Sequence, residues 1–201
     1  MLDKSIPYRH IIMMLPYEDN NHPVPELPDG YTYHLFRPGD EHAWAKIETS
    51  VLEFENEERA LAHYTRIYLL HLPELQKRAV FIANPRGELV ATATAWRDRT
   101  DGKASIVWVA VKPSEQGKHL GRAVLTKALS LFPLYEPGRD IYLHTQTWSH
   151  IAVRLYASIG FRLCRTSRLG DRSNDYTEAV DVLRTVFPED YIDFLTSRSV
   201  E

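Results

Sequence analysis

Two glycines, Gly117 and Gly121, are the first residues whose type and spacing suggest chemistry, because they lie between a strand-like and a helix-like segment. The helix is predicted to begin close to Gly121, which places both glycines at its amino-terminal end. Unpaired backbone N–H groups and the positive end of the helix dipole favour an anion there, such as a pyrophosphate. Lys118 and Arg122 add positive charge. An ordinary strand-to-helix connection with two turn glycines is the alternative.

The segment around these glycines resembles the acyl-CoA motif of the GNAT N-acetyltransferase superfamily. Val109-Ala-Val111 is followed by Gln116-Gly-Lys-His-Leu-Gly121, and the family pattern is Gln or Arg, two residues, Gly, any residue, then Gly or Ala. Gln116 and Gly121 match the first and last positions, whereas His119 stands where the family usually has glycine. The resemblance implies that this helix end binds the pyrophosphate of acetyl-CoA. It also implies that strand N–H groups near Val109 to Val111 bind the thioester oxygen and the pantetheine amides.

A second stretch, Ser149-His-Ile-Ala-Val-Arg-Leu-Tyr156-Ala-Ser-Ile-Gly160-Phe161, resembles the next motif of the same superfamily. That motif is a helix that carries Ala and Leu-Tyr and closes in Gly-Phe. Ala152, Leu155 and Ile159 are predicted to form the buried stripe of this helix. Ser149 stands where many members have asparagine, and its hydroxyl can still form a hydrogen bond. The joint resemblance spans roughly residues 78–165. It assigns to the cofactor site Val109, Ala110, Val111, Gln116, Gly117, Lys118, His119, Leu120, Gly121, Arg122, Ser149 and Ala152.

Two further residues are candidates for proton transfer. The resemblance gives Tyr156 the position of the family tyrosine that meets the CoA sulfur, and we interpret it as the general acid that protonates the leaving thiolate. A core tyrosine with a hydrogen-bonded hydroxyl is the alternative. His144 lies on the preceding strand, where some peptide-amine acetyltransferases of the superfamily carry glutamate. Its imidazole can take a proton from an amine near neutral pH, and a packed or surface histidine is the alternative.

An acidic segment, Glu53-Phe-Glu-Asn-Glu-Glu58, follows the first predicted helix. Glu55 and Glu57 are secondary candidates for an anionic lip that attracts an amine. The alternative is a solvated charge run whose acids favour the amino terminus of the next helix.

Hydrophobic periodicity predicts the elements that position these residues. The apolar run Ile106–Val111 is typical of a buried strand that ends before Pro113, and the helix after Gly121 extends to Pro133. Further strands are predicted at residues 31–36, 79–83, 89–96 and 141–147. Further helices are predicted at residues 44–51, 60–71 and 175–187, and Pro73 is predicted to stop the second of them. The resemblance implies an α+β, GNAT-like fold, in which helices flank a mixed central sheet with a splayed pair of parallel strands.

The two ends of the chain lie outside the two motifs. Residues 1–30 are interpreted as an amino-terminal extension and linker, in which Ile11–Leu15 forms an edge strand or a cover for the core. Residues 31–201 are interpreted as the acetyltransferase domain. Its last helix is predicted to carry a capping box from Asp175 to Glu178 and to stop at Pro188. Tyr191–Leu195 is interpreted as a final apolar turn that packs on the body or on another subunit.

Composition limits the class of protein. The chain has 201 residues, of which 44% are hydrophobic and 25% charged, and its formal net charge is −3. These values suit one globular domain, and the scattered positive charges argue against nucleic acid as a partner. The sequence shows no run of about 18 apolar residues for a membrane, no signal peptide and no metal-ligand spacing. We expect a cytoplasmic protein without metal, whose single cysteine, Cys164, is a buried structural thiol rather than a reactive one.

These observations predict an N-acetyltransferase that moves the acetyl group of acetyl-CoA to a primary amine by direct attack, without a covalent acyl-enzyme. The acceptor is expected to be a small-molecule or peptide amine, and the oligomeric state stays open, with a homodimer among the options. One alternative is a non-catalytic, regulatory module that binds acyl-CoA, since His119 and Ser149 replace the usual family residues. The other is a protein-interaction domain whose glycine loop is incidental.

Overall fold

The computed structural model describes residues 2–201. The strands are β1 (His10–Leu15), β2 (Thr32–Leu35), β3 (Ala79–Ala83), β4 (Leu89–Arg97), β5 (Ala104–Val111), β6 (Ile141–Gln146) and β7 (Arg162–Leu163). The helices are α1 (Asp40–Ser50), α2 (Glu57–Ile67), α3 (Leu72–Arg78), α4 (Leu120–Leu129), α5 (Phe132–Tyr135), α6 (His150–Ile159), α7 (Tyr176–Leu183) and α8 (Glu189–Ser197).

Within residues 2–201 the strands form one seven-stranded sheet in the order β2-β3-β4-β5-β6-β1-β7. β5 and β6 are a parallel pair, and helices flank the sheet. The predicted α+β fold with a mixed sheet is therefore confirmed. In the same range, no helix is long and apolar enough to span a bilayer. The chain divides into two compact units, one made of residues 22–96 and 106–135, the other of residues 2–21, 97–105 and 136–201.

In the first unit, β2 pairs with β3 and β3 pairs with β4, all antiparallel. The β3–β4 hairpin turn is held by Asn84, whose side-chain oxygen accepts hydrogen bonds from the amides of Arg86 and Glu88 at 2.9 and 3.1 Å. All five residues of β3 are buried. Such burial on both faces explains why the strand is a continuous apolar run rather than an alternating one.

Aromatic side chains fill the core of the first unit. The Trp44 ring on α1 lies 4.3 Å from the Tyr64 ring on α2, measured between ring centroids. Phe36 and Phe81 pack in the same cluster, and all four side chains are almost completely buried. Burial of each such side chain contributes about 1.5–3 kcal/mol. This aromatic packing fixes the α1–α2 pair on the sheet.

The helix predicted up to residue 71 is shorter than expected and a further helix follows it. α2 ends at Ile67, a 3-10 turn covers Leu69–His71, and α3 begins at Leu72. Pro73 was predicted to stop a helix, but it lies in the first turn of α3. Proline is tolerated there because that N–H group has no partner within the helix.

In the second unit, β1 is an inner strand and not an edge strand or a cover. It pairs antiparallel with β6 on one side, where Ile12 lies opposite His144, and with β7 on the other, where Met13 lies opposite Leu163. Ile11, Ile12 and Met13 are buried. The boundary placed at residue 30 stays a prediction, although β1 belongs to the same sheet as the later strands.

The carboxyl-terminal segment is helical, as predicted, but the predicted capping box at its start is not formed. Asp175 precedes α7, and its side chain accepts no capping hydrogen bond from this helix. Its Oδ2 accepts a hydrogen bond from the backbone amide of His10 at 2.9 Å instead. The capping-box prediction was therefore wrong, because the Asp175 carboxylate binds the backbone of β1 instead of the first turn of α7. Residues 191–195, predicted as a turn, lie within α8, which begins directly after Pro188.

Candidate functional site

The loop between β5 and α4 lies at the surface. Residues 116–119 are exposed, and α4 begins at Leu120. The first helical hydrogen bond runs from the amide of Ala123 to the carbonyl oxygen of His119 at 3.1 Å. The amides of Leu120, Gly121 and Arg122 precede this ladder, as in every helix amino terminus, and can bind an anion together with the helix dipole. The prediction of a helix beginning beside Gly121 is confirmed.

His119 has a backbone conformation that glycine normally provides. Its φ is 61°, in the left-handed region, and Gly117 two residues earlier has a φ of 79°. A non-glycine residue in this region costs about 1–2 kcal/mol, although histidine is among the residues that tolerate it better. The chain therefore follows a glycine-like path at the position where the resemblance leads us to expect glycine.

Lys118 does not contribute a free positive charge. Its Nζ donates hydrogen bonds to Glu115 Oε2 at 2.6 Å and to the Tyr31 hydroxyl at 2.8 Å. Glu115 is buried, and it also accepts hydrogen bonds from the Tyr31 hydroxyl at 2.6 Å and from Asn84 Nδ2 at 3.4 Å. The Lys118 bond, followed by the Tyr31 bond, lowers the pKa of Glu115 to about 2. The network connects the loop to the start of β2 and to the β3–β4 turn.

Gln116 connects the loop to the end of β5. Its Nε2 donates a hydrogen bond to the carbonyl oxygen of Val111 at 3.1 Å. On the strand itself, Ala110 is buried while Val109 and Val111 are half-buried. Trp108, the residue before them, has a φ of 58°, which interrupts regular strand geometry. Such irregularities expose backbone N–H groups that the ladder does not use.

Tyr156 lies on α6 in the second unit and is 6% exposed. The helix ends at Gly160, whose φ is 108°, and the amide of Phe161 donates to the carbonyl oxygen of Tyr156 at 3.1 Å. The Gly-Phe end of the motif thus closes the helix, since glycine adopts the left-handed cap without strain. The buried residues of α6 are Val153, Tyr156, Ala157 and Ile159.

The predicted stripe on α6 is shifted. Ala152 and Leu155, which were expected to be buried, are only half-buried. Ser149 is half-buried directly before α6, and its side chain makes no capping hydrogen bond to this helix.

His144 differs from the titrating base that the sequence suggested. Its Nε2 lies 2.8 Å from Nδ1 of His10 on the paired strand β1. Burial, followed by the charges of Arg172 and His10, lowers the pKa of His144 to about 3. The ring is therefore neutral near pH 7, but it is a weak base and one of its nitrogens already has a partner.

The acidic segment before α2 is a solvated charge run, which was the alternative to an anionic lip for an amine. Glu55 and Glu57 are exposed, and Glu55 forms a 3.2 Å ion pair with Arg59. Asn56 caps α2 by accepting a hydrogen bond from the amide of Arg59 at 2.9 Å. Glu57 lies in the first turn of α2, where a negative charge is favourable.

The site residues predicted from the sequence form two groups. Residues 109–111 and 116–122 lie in the first unit, and His144, Ser149, Ala152 and Tyr156 lie in the second. Sequence reasoning missed Glu115 and Glu48, which are both buried carboxylates. Glu48 had a detectable signal, because it follows Trp44 by one helical turn on the apolar face of α1.

Curated proteins are similar to this chain in sequence. The mycothiol acetyltransferase of Thermobispora bispora is 32% identical, over 69% of this chain and 49% of that protein. The mycothiol acetyltransferase of Thermomonospora curvata is 30% identical, over 74% of this chain and 50% of that protein. The chain thus spans about half the length of these curated relatives.

Solved structures give the same fold. A GCN5-related N-acetyltransferase from Sphaerobacter thermophilus aligns with a TM-score of 0.60 and 26% identity, over 78% of this chain and 49% of that one. A GCN5-related N-acetyltransferase from Kribbella flavida aligns with a TM-score of 0.53 and 22% identity, over 79% of this chain and 56% of that one. A family model described as the acetyltransferase (GNAT) family matches residues 33–161. The chain therefore belongs to the GNAT acetyltransferase family.

Proposed function

We propose that this protein is an N-acetyltransferase that moves the acetyl group of acetyl-CoA to a primary amine by direct attack. The observation that carries the proposal is the exposed loop at the start of α4, with left-handed backbone at Gly117 and His119. This geometry fits a pyrophosphate, because the amides of the first helical turn and the helix dipole converge on it. Acetyl-CoA supplies an activated thioester when it is bound.

The chain's own residues divide the work of binding. The amides of residues 120–122 would bind the pyrophosphate, and Arg122 lies exposed on the same turn. Lys118 acts through Glu115, because it neutralises this carboxylate and holds the loop in shape. Gln116 fixes the loop to Val111, so that the strand end and the helix end keep a constant spacing. Residues 109–111 would offer backbone N–H groups to the thioester oxygen and the pantetheine amides.

Tyr156 is proposed as the general acid. Its place in the second motif of the resemblance supports this role, and its side chain is 6% exposed on α6. As the amine nitrogen bonds to the acetyl carbon and the C–S bond breaks, the hydroxyl would donate its proton to the sulfur. The proton that the nitrogen then loses would return to the Tyr156 oxygen through solvent.

His144 is not proposed as the base. A group with a pKa of about 3 takes a proton from an amine poorly. Its 2.8 Å contact with His10 supports a role in positioning β1 and β6 instead. The amine would attack in its neutral form after it loses a proton to another group or to solvent.

The substrate of the curated relatives is not proposed as the acceptor of this chain, because the chain spans only about half of their length. Primary amines as a class remain the proposed acceptors. A non-catalytic acyl-CoA-binding module is the alternative, which was suggested by His119 and Ser149 in place of the usual family residues. The glycine-like backbone of His119 removes the first of these two reasons.

Calorimetric titration with acetyl-CoA, with ATP as a control, tests the proposal. We expect saturable binding of acetyl-CoA and none of ATP, followed by release of free thiol when primary amines are added. Gly121→Glu should abolish acetyl-CoA binding, because it places a negative charge at the anion site. Ser114→Glu, at an exposed position in the 3-10 turn Pro113–Glu115, is the control and should retain binding. Binding without thiol release across an amine panel would favour the non-catalytic module, and the absence of binding would overturn the proposal.

A further inference from the structure

The segment before β1 lies against the turn that leads into α6. In this amino-terminal arm (residues 2–9), the amide of Asp3 donates a hydrogen bond to the carbonyl oxygen of Trp148 at 2.8 Å. Trp148 in turn donates one from its indole Nε1 to the carbonyl oxygen of Ile6, also at 2.8 Å. The Trp148 ring packs edge-on against the Tyr8 ring, with 4.9 Å between the ring centroids. The arm therefore fixes both the main chain and the side chain of Trp148.

Thr147 extends this contact by one residue. Its Oγ1 donates a hydrogen bond to the carbonyl oxygen of Pro7 at 2.6 Å and accepts one from the amide of Arg9 at 3.0 Å. The amide of Thr147 donates to the carbonyl oxygen of Arg9, also at 3.0 Å. Thr147 is completely buried, so water cannot replace these partners. The arm therefore supplies both hydrogen-bond partners of a buried hydroxyl group.

The turn held by the arm is continuous with α6. Thr147–Ser149 form a 3-10 turn, and α6 begins at the next residue, His150. Ser149 is the N-cap residue of α6, but its side chain makes no capping hydrogen bond. A serine at this position normally accepts a hydrogen bond from the first turn of its helix. The contacts of the arm with the preceding turn therefore take over the task of fixing the start of α6.

The other end of α6 packs against the same part of the chain. α6 closes at Gly160, and a Cβ atom at this position would lie 3.3 Å from Cδ1 of Leu15, the last residue of β1. Glycine therefore allows a close approach here as well as the left-handed cap. Residues 2–15 thus hold both ends of the helix that carries Tyr156. They lie outside residues 33–161, which the family model matches.

We propose that the amino-terminal arm is a positioning element for Tyr156, which acts through Thr147 and Trp148 at the start of α6. A general acid must lie within hydrogen-bond reach of the group it protonates, and a displacement of about 1 Å costs up to about 100-fold in rate. A helix fixed at both ends keeps the Tyr156 hydroxyl in one place, whereas loss of the arm contacts frees one of these ends. This inference rests on the proposed function, in which Tyr156 is the general acid.

A double-mutant cycle between Trp148 and Tyr156 tests the arm. Trp148→Phe keeps an aromatic ring and removes the indole N–H that binds Ile6. We expect kcat with acetyl-CoA and the most active amine of the panel to fall about tenfold, with acetyl-CoA affinity nearly unchanged in calorimetry. In the Tyr156→Phe background the same change should cost less than about twofold, because the acid that the arm positions is already absent. An equal loss in both backgrounds would overturn the positioning role, since a general structural defect lowers both rates alike.

Tyr33→Phe is the matched control. It also removes one hydrogen bond from a half-buried side chain to a main-chain carbonyl oxygen, that of Pro25 at 2.8 Å, but it lies on β2 in the first unit. It should leave kcat unchanged. If Trp148→Phe does not fold, Tyr8→Ala removes the ring that packs on Trp148 from an exposed position and should also lower kcat. An unchanged kcat in this folded variant would contradict the proposal.

Hydrogen exchange measures the support of α6 without turnover. In Trp148→Phe, the amides of the first two turns of α6 should exchange faster than in the wild type, whereas those of α4 should not change. Unchanged exchange in α6 would show that the arm does not hold this helix. A wild-type protein that releases no thiol with any amine would overturn the proposed function, and the exchange measurement would still decide whether the arm fixes α6.

Discussion

His10 and His144 contact each other diagonally across the paired strands β1 and β6, with Nδ1 of the first 2.8 Å from Nε2 of the second. One of these nitrogens donates to the other, which requires a neutral partner. Asp175 accepts a hydrogen bond from the backbone amide of His10, and Arg172 contributes positive charge near His144. The pair therefore connects β1, β6 and the segment before α7.

The His144 ring should make the protein sensitive to mild acid. Its pKa in the folded protein is about 3, below the ordinary 6.5, so the unfolded chain binds a proton that the folded chain excludes. Stability from this group is complete above pH 6.5 and falls as the pH drops toward 3, with a limiting slope of about 1.4 kcal/mol per pH unit. Urea unfolding at pH 7 and pH 5 should show a smaller loss for His144→Gln than for the wild type. His42→Gln, at an exposed position, should behave like the wild type. An equal loss in His144→Gln would contradict the depressed pKa.

Tyr156→Phe should separate binding from turnover. The variant keeps the ring, which packs 5.9 Å from that of Phe161 between centroids, and it removes only the hydroxyl. We expect turnover with a primary amine to fall about 100-fold, because a general acid is lost. Calorimetry should give nearly the wild-type affinity for acetyl-CoA. An unchanged rate would eliminate Tyr156 as the acid.

His119→Gly should preserve the anion site. Glycine relieves about 1–2 kcal/mol of left-handed strain, and it costs about 0.4–1 kcal/mol in the entropy of the unfolded chain. We expect a stability within about 1 kcal/mol of the wild type by urea unfolding, with acetyl-CoA affinity retained. His119→Val should lose stability, because a β-branched residue adopts this backbone poorly. Loss of acetyl-CoA binding in His119→Gly would show that the imidazole itself contacts the cofactor.

Glu115→Gln should loosen the loop before α4. The carboxylate binds Lys118, Tyr31 and Asn84, and its removal leaves Lys118 without its acidic partner. We expect a loss of about 1–3 kcal/mol and weaker acetyl-CoA binding. Because the pKa of Glu115 is about 2, below its ordinary 4.5, its stabilisation is present above pH 4.5 and is lost as the pH falls toward 2. Glu26→Gln, which is exposed, is the control in unfolding and calorimetry. Equal stability and affinity in the two variants would contradict the role of the network.

Local signals predicted most of the elements. Apolar runs identified β3, β4, β5 and β6, and the glycine loop identified the start of α4, because these features depend on residues close together in the chain. The fold class followed from two motifs in a known order. Pro73 misled the prediction, since the sequence does not show whether proline ends one helix or begins the next.

Long-range partners account for what the sequence could not show. The pairing of β1 with β6 and β7 depends on residues more than 100 positions away. Periodicity therefore identified the strand but not its position within the sheet. Burial lowers the pKa of His144, with smaller contributions from Arg172 and from His10 on β1. The backbone amide of His10 also binds the Asp175 carboxylate, which was predicted to cap α7. Lys118 looked like a phosphate ligand because the sequence does not reveal that Glu115 and Tyr31 lie beside it.

The inner position of β1 also affects how the chain is made. Its residues leave the ribosome well before those of β6, because its partner His144 lies 134 residues after His10. Until β6 and β7 have been synthesised, the apolar segment from His10 to Leu15 has unsatisfied edges, which attract other chains. Closing so long a loop is slow. Completion of the sheet is therefore a late event, and we expect nascent chains that stop before residue 141 to depend on chaperones.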